Sequence, residues 1–145
     1  MRLRTLLYVS ESRIDFPREA YQVTDIVNVA RARNSRLSVT GALIFTEQSF
    51  AQVLEGPAAA VGELMASIER DPRHHRLSVL IDPLAAGRRF SDWSMAYSGP
   101  SLYVERHIRP LLDGELEPPE VEAAAERLLR LIEELTLRAL DDDTG

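Results

Sequence analysis

Hydrophobic and polar positions along the first hundred residues follow two periods. Alternation with a period of two predicts strands, and three-four spacing predicts helices. In "LRTLLYVSES" (3–12) Leu6, Tyr8 and Ser10 share one face and Leu7 and Val9 the other, so a strand is expected. Pro17 suits a first helical turn and opens a helix expected to reach about Arg33. Its apolar stripe is Val23, Ile26, Val27 and Ala30, and Asn34 continues the stripe by four. "LSVTGALIFTEQSFAQVLEG" (37–56) predicts a hairpin that turns near Glu47-Gln48-Ser49. After Gly56-Pro57 a second helix buries Val61, Leu64, Met65 and Ile68, then stops near Asp71-Pro72, because proline biases its predecessor away from helix. "LSVLID" (77–82) and "FSDWSMAY" (90–97) are two further strands, the second placing Trp93, Met95 and Tyr97 on one side.

The order β-α-β-β-α-β-β predicts an α+β fold, a ferredoxin-like sandwich: one mixed five-stranded sheet with two helices on one face. From Leu102 the pattern changes to a short helix ending near Gly114, an acidic linker, and a helix from about Pro118 to Leu140. Residues 1–100 therefore read as a sandwich domain and 101–145 as a C-terminal helical extension. In the last helix Val121, Ala125, Leu128, Ile132, Leu135 and Ala139 form a stripe that must be buried. Either the open face of its own sheet or a homodimer seam would serve.

Within this pattern Gln52 is the odd residue. It alternates onto one face with Phe50 and Leu54, and a buried amide without partners costs roughly 1–3 kcal/mol. Both early helices also carry an apolar stripe and end in polar residues: Asn34 on the first, then Asp71, Arg73 and His74 after the second. Two such faces would suit a flat heterocycle inserted edgewise. On pattern alone, a plain helix-sheet core with capping residues fits better.

Charge and composition narrow the partners. The net charge is -6, with 12 Arg against 11 Asp/Glu in residues 1–100 and 5 Arg against 12 in 101–145. Binding to nucleic acid needs clustered cations and is not expected. No apolar run approaches 18 residues and no charged-then-apolar leader is present, so a cytoplasmic, unanchored protein is expected. The chain has neither Cys nor Lys, which excludes a thiolate metal site, a cysteine nucleophile, a Schiff-base lysine and a P-loop. His74 and His75 are adjacent and His107 lies apart, so no metal site is expected.

At "LLYVS", "ARARN", "VTG", "FAQVLEG", "DPRHH" and "RRFSDWSM", in that order, the chain resembles the BLUF family, blue-light sensors that use a flavin. The likeness runs to about residue 100. It implies that Tyr8 is the donor to the excited flavin and that Gln52 lies between Tyr8 and the ring. It further implies that Asn34 bonds the N3/O4 edge, Ile26 and Ile68 sandwich the ring, and Asp71, Arg73 and His74 hold the ribityl-phosphate side. Trp93 and Met95 match the pair linked to signalling. The cofactor implied is FAD, with FMN the alternative. Two positions depart from the family pattern: Ala30 replaces a serine found in some members, and Ser38 a glycine.

The absence of thiol excludes a cysteinyl adduct and leaves electron and proton transfer. The expected protein is a photoreceptor and not an enzyme, since a cyclase or phosphodiesterase would not fit in the remaining 45 residues. It is expected to form a homo-oligomer, dimer or larger, and to signal to a separate downstream protein. A chromophore-free interaction domain is one alternative. A small acyl-phosphate hydrolase is the other, although no glycine-rich loop follows the first strand.

Overall fold

A computed structural model of the chain describes residues 3–81, 84–85 and 87–144, without the side chains of 84–85 and 139–144. The elements are β1 (Leu3–Ser12), α1 (Ala20–Arg36), β2 (Thr40–Phe45), β3 (Ser49–Pro57), α2 (Ala58–Glu69), β4 (His74–Ile81), β5 (Leu84–Ala85), β6 (Trp93–Ser98), α3 (Leu102–Asp113) and α4 (Pro118–Thr144). The sheet order is β4-β1-β3-β2-β6, with the two-residue β5 paired to β1. Only β2 and β6 are parallel; the other pairs are antiparallel. This is the mixed sheet of a ferredoxin-like sandwich.

Several boundaries move from those expected. α1 starts at Ala20, because residues 17–19 form a turn. β4 begins at His74, since Glu11↔His75 and Ser12↔His74 extend its ladder with β1; Asp82, assigned to the same strand, lies outside the described residues. β6 begins at Trp93, three residues late, and α4 runs past Leu140 to Thr144. Tyr97 does not share a face with Trp93. The β2/β6 register steps from Leu43↔Met95 to Ile44↔Tyr97, a bulge that puts Tyr97 in the same layer as Ala96, opposite Trp93 and Met95.

Alternation along the strands feeds two separate cores. Leu6, Tyr8, Leu43, Phe45, Phe50, Leu54 and Trp93 point to α1 and α2, where they meet Val23, Ala30, Val61, Leu64 and Met65. Leu7, Val9, Ala42, Ile44, Ala51 and Val53 point the other way, to Val104, Ile108 and Leu111 of α3 and to Ala125, Leu128 and Ile132 of α4. The stripe of α4 thus lies on its own sheet, with Val121 and Leu135 partly buried at its ends; the side chain of Ala139 lies outside the described residues. Glu11 ties the far edge together through His75, Arg76 and Arg109, joining β1, β4 and α3.

Gly41 cannot be replaced without displacing backbone. A Cβ there would lie 1.9 Å from the Val53 carbonyl oxygen, and its φ of +147° is one that side chains rarely adopt. Ser38 stands at φ +60°, a left-handed conformation that glycine would adopt more readily.

Candidate functional site: a polar-floored cleft between the sheet and two helices

The register of the central strands assembles the site. Tyr8 on β1, Gln52 on β3, Leu43 on β2 and Met95 on β6 stand side by side in one row. Trp93 lies one step away, opposite Gly41. From there the indole crosses β2 to reach β3. Its Nε1–H donates to Gln52 Oε1 at 3.0 Å, while Gln52 Nε2 donates to the Tyr8 hydroxyl at 2.6 Å. Indole nitrogen only donates, so the carbonyl end of the amide must face Trp93 and its NH2 end must face Tyr8. These are the partners that a buried amide in "FAQVLEG" requires.

All three side chains are buried. Burial pushes the Tyr8 phenol well above its ordinary value, outweighing the opposing hydrogen bond from Gln52. The phenol is therefore neutral throughout the physiological range.

Above this row opens a cleft of about 120 Å³, lined by Tyr8, Gln52 and Phe50 from the sheet, Ile26, Ala30 and Arg33 from α1, and Ile68 with Asp71, Arg73 and His74 from α2 and beyond. Its walls mix apolar side chains with polar groups able to orient a small molecule. Three polar side-chain atoms are fully buried without a partner among the described residues, Thr5 Oγ1, Arg33 Nε and Asn34 Oδ1, and of these residues Arg33 lines the cleft. Such groups are rare in folded proteins unless a ligand or water completes them. Arg33 and Asn34 are consecutive on α1, and an open donor with an open acceptor is what the edge of a heterocycle offering N–H next to C=O would pair with. The donor set therefore fits a flavin.

The mouth is charged. Asp71 accepts from Arg73 Nε at 2.8 Å and from the Arg73 backbone N–H at 2.9 Å. Partial burial raises the Asp71 carboxyl, but the Arg73 bonds prevail and hold it below its ordinary value. Asp71 in turn raises the Arg73 guanidinium, and partial burial lowers that of Arg33.

His74 lines the cleft beside Asp71 and Arg73, with its ring held from both sides. Its Nε2–H donates to the Ile68 carbonyl at 2.6 Å, and its Nδ1 is 2.7 Å from Ser10 Oγ. With both nitrogens engaged, the ring forms a wall, edge-on to Tyr8 and Phe50. Arg33 and Phe50 were not singled out from the sequence. Arg33 carried a signal nonetheless: it precedes Asn34 on the helix whose stripe faces the sheet.

A family profile described as "BLUF: Sensors of blue-light using FAD" matches residues 3–96. Over 93 residues the chain is 38% identical to the blue light- and temperature-regulated antirepressor BluF of Escherichia coli (strain K12). It is 37% identical to the photoactivated adenylate cyclase subunit alpha of Euglena gracilis, also over 93 residues. Each match takes in 64% of this chain but only 23% and 9% of those longer proteins. Among solved structures, the dark state of BlrB, a BLUF protein, superposes with a TM-score of 0.70 at 30% identity, covering 92% of this chain and 96% of that one.

The chain belongs to the BLUF family. It is a blue-light sensor whose cofactor is a flavin, and its domain type is a photosensor rather than an enzyme. Related domains are parts of light-regulated signalling proteins. Among the described residues no helix is long and apolar enough to cross a membrane.

Proposed function

We propose that the chain senses blue light through the hydrogen bonds Tyr8–Gln52–Trp93 and passes the change through β6 and the C-terminal helices to a separate protein. The carrying observation is the Gln52 amide, held between a phenol and an indole on the floor of a cleft with open polar groups. Asn34 and Arg33 would hold the ring edge, Ile26 and Ile68 its faces, and Asp71, Arg73 and His74 the ribityl-phosphate end. FAD is favoured over FMN by the family description.

The bound flavin supplies absorption of blue light and a transient electron acceptor. Tyr8 is the donor, and its oxidised phenol is a strong acid that needs an acceptor for its proton. In the resting arrangement Gln52 presents an N–H to Tyr8. Only a turned or tautomerised amide changes that. A turned amide accepts from Tyr8 and sets its NH2 against the Trp93 N–H, donor against donor. The indole must then let go of Gln52, while the electron and proton return to Tyr8.

Release of Trp93 would loosen β6, which packs on α4 through Ala96 and Tyr97. Output then reaches a partner, or another copy in a homo-oligomer, in the cytoplasm. The sandwich of residues 1–100 is thus the sensor and residues 101–145 the relay.

An absorption spectrum before and after blue light, with the released flavin identified by mass, tests the reading. A yellow protein with a reversible red shift is expected. A colourless protein, or one whose spectrum ignores light, would overturn it and favour a chromophore-free interaction domain.

A further inference from the structure

Glu55 lies three residues beyond Gln52 on β3, on the opposite face, and is 1% exposed. A buried carboxylate is costly unless its oxygens are satisfied. Here three donors satisfy them. Oε1 accepts from Thr40 Oγ1 at 2.9 Å and from the Phe90 backbone N–H at 3.0 Å, and Oε2 from the Arg89 backbone N–H at 2.7 Å. Arg88 closes the cluster, donating to both Thr40 Oγ1 and the Glu55 carbonyl.

Two of those donors are the main chain just ahead of β6. Charge-assisted bonds from backbone N–H groups are roughly twice as strong as neutral ones, and they fix position rather than side-chain orientation. From Phe90, buried against the α4 core, the chain needs three residues to reach Trp93 on the other face. Along the way the Asp92 carbonyl accepts from the Gly41 N–H and its side chain from the Trp93 N–H. Arg89 also pairs with Glu133 of α4 at 3.0 Å. The start of β6 is therefore anchored on β3 and tied to α4 at one point.

We infer that Glu55 is a positioning residue for the Gln52–Trp93 hydrogen bond. By holding the Arg89 and Phe90 N–H groups it sets where β6 begins, and so whether the indole reaches the amide. The bond and its anchor stand in the structure by themselves; only their part in light sensing rests on the flavin reading.

Trp93 is the single tryptophan of the chain, so the indole N–H gives one unambiguous signal in a ¹⁵N–¹H spectrum of the full-length protein in the dark. Glu55→Gln keeps the volume but replaces one accepting oxygen with a donor. The indole signal should move toward that of a solvated indole or split, with the bonded-to-free ratio falling about fivefold, the effect of one ordinary hydrogen bond. Thr40→Val should move it in the same direction by less. Thr5→Val is the control: Thr5 pairs with Glu55 across β1 and β3, but its hydroxyl has no partner among the described residues, and its signal should match wild type.

Melting temperatures recorded alongside separate this from plain destabilisation, which would lower the melting point without moving the indole. An unmoved indole in both Glu55→Gln and Thr40→Val overturns the proposal. If Glu55→Gln does not fold, Thr40→Val alone decides. Colour and light response of the wild-type sample report on the flavin reading separately.

Discussion

The two faces of the sheet are built from alternate residues of the same strands, yet they differ in what they finish. On the far face Leu7, Val9, Ala42, Ile44, Ala51 and Val53 meet apolar side chains of α3 and α4, and the helices complete the core. On the near face, the residues in between bring Tyr8 and Gln52 beneath α1 and α2. There the packing stops short, leaving a cleft with the open Arg33 donor in its wall. One face packs against the chain's own helices throughout; the other keeps a cleft. A strand period of two is what lets one sheet do both.

If that division is right, the whole light response belongs to the near face. Tyr8→Phe should retain flavin but lose the reversible red shift completely, because the transferable proton is gone and ring packing is kept. Gln52→Leu should do the same, since leucine fills similar space without a hydrogen bond. A red shift surviving in either variant, measured by difference absorption, removes that residue from the switch.

Stability should divide the other way. Leu128 is fully buried in the far core, so Leu128→Ala should cost about 2–5 kcal/mol in a denaturant titration. Ile68, only partly buried at the cleft, should cost less as alanine while reducing flavin retention. Equal losses of stability from the two would mean that the near face is as closed as the far one.

Asn34→Ala sharpens the contrast further. Its Oδ1 has no partner among the described residues, so truncation should leave the flavin-free protein about as stable as wild type. Flavin affinity, in contrast, should fall about 5- to 150-fold, corresponding to a buried bond of about 1–3 kcal/mol. Titration with the released flavin checks this. Unchanged affinity would make Asn34 a structural residue alone.

How much of this was legible in the sequence follows from the range over which each signal acts. Strand and helix periods are local, so five strands, two sandwich helices and the C-terminal helices were readable from Leu6/Leu7-type alternation and from the Val61-Leu64-Ile68 spacing. Ends were less so: His74 joins β4 because β1 extends to meet it at Ser12, a partner far away in the sequence. The bulge that turns Tyr97 over is equally invisible, being set by the register with β2. At the site, Tyr8, Asn34, Gln52 and Trp93 were recognisable through motifs; Tyr8, Gln52 and Trp93 meet in one chain of hydrogen bonds, while Asn34 is buried without lining the cleft. The specific bond between Trp93 and Gln52 was not, since it depends on the register of three strands. Nor was the engagement of His74 by Ser10 and Ile68, which takes both of its nitrogens.

The smallest expected effect concerns protons. Burial raises the Tyr8 phenol above its ordinary value of 10.0, so the folded protein keeps this proton at a pH where the unfolded chain releases it. Below about pH 10 both states hold it, and the contribution of a buried neutral phenol is fully present. As pH rises further, the unfolded state is favoured by losing the proton, and unfolding free energy falls, by at most about 1.4 kcal/mol per pH unit for one group. Tyr8→Phe lacks that group and should show a shallower decline above about pH 10 in urea titrations, whatever its absolute stability. Leu128→Ala, altering only the far face, should keep the wild-type slope. Matching slopes in wild type and Tyr8→Phe would mean that water reaches the phenol, and the near face would then lack the sealed floor on which its chemistry depends.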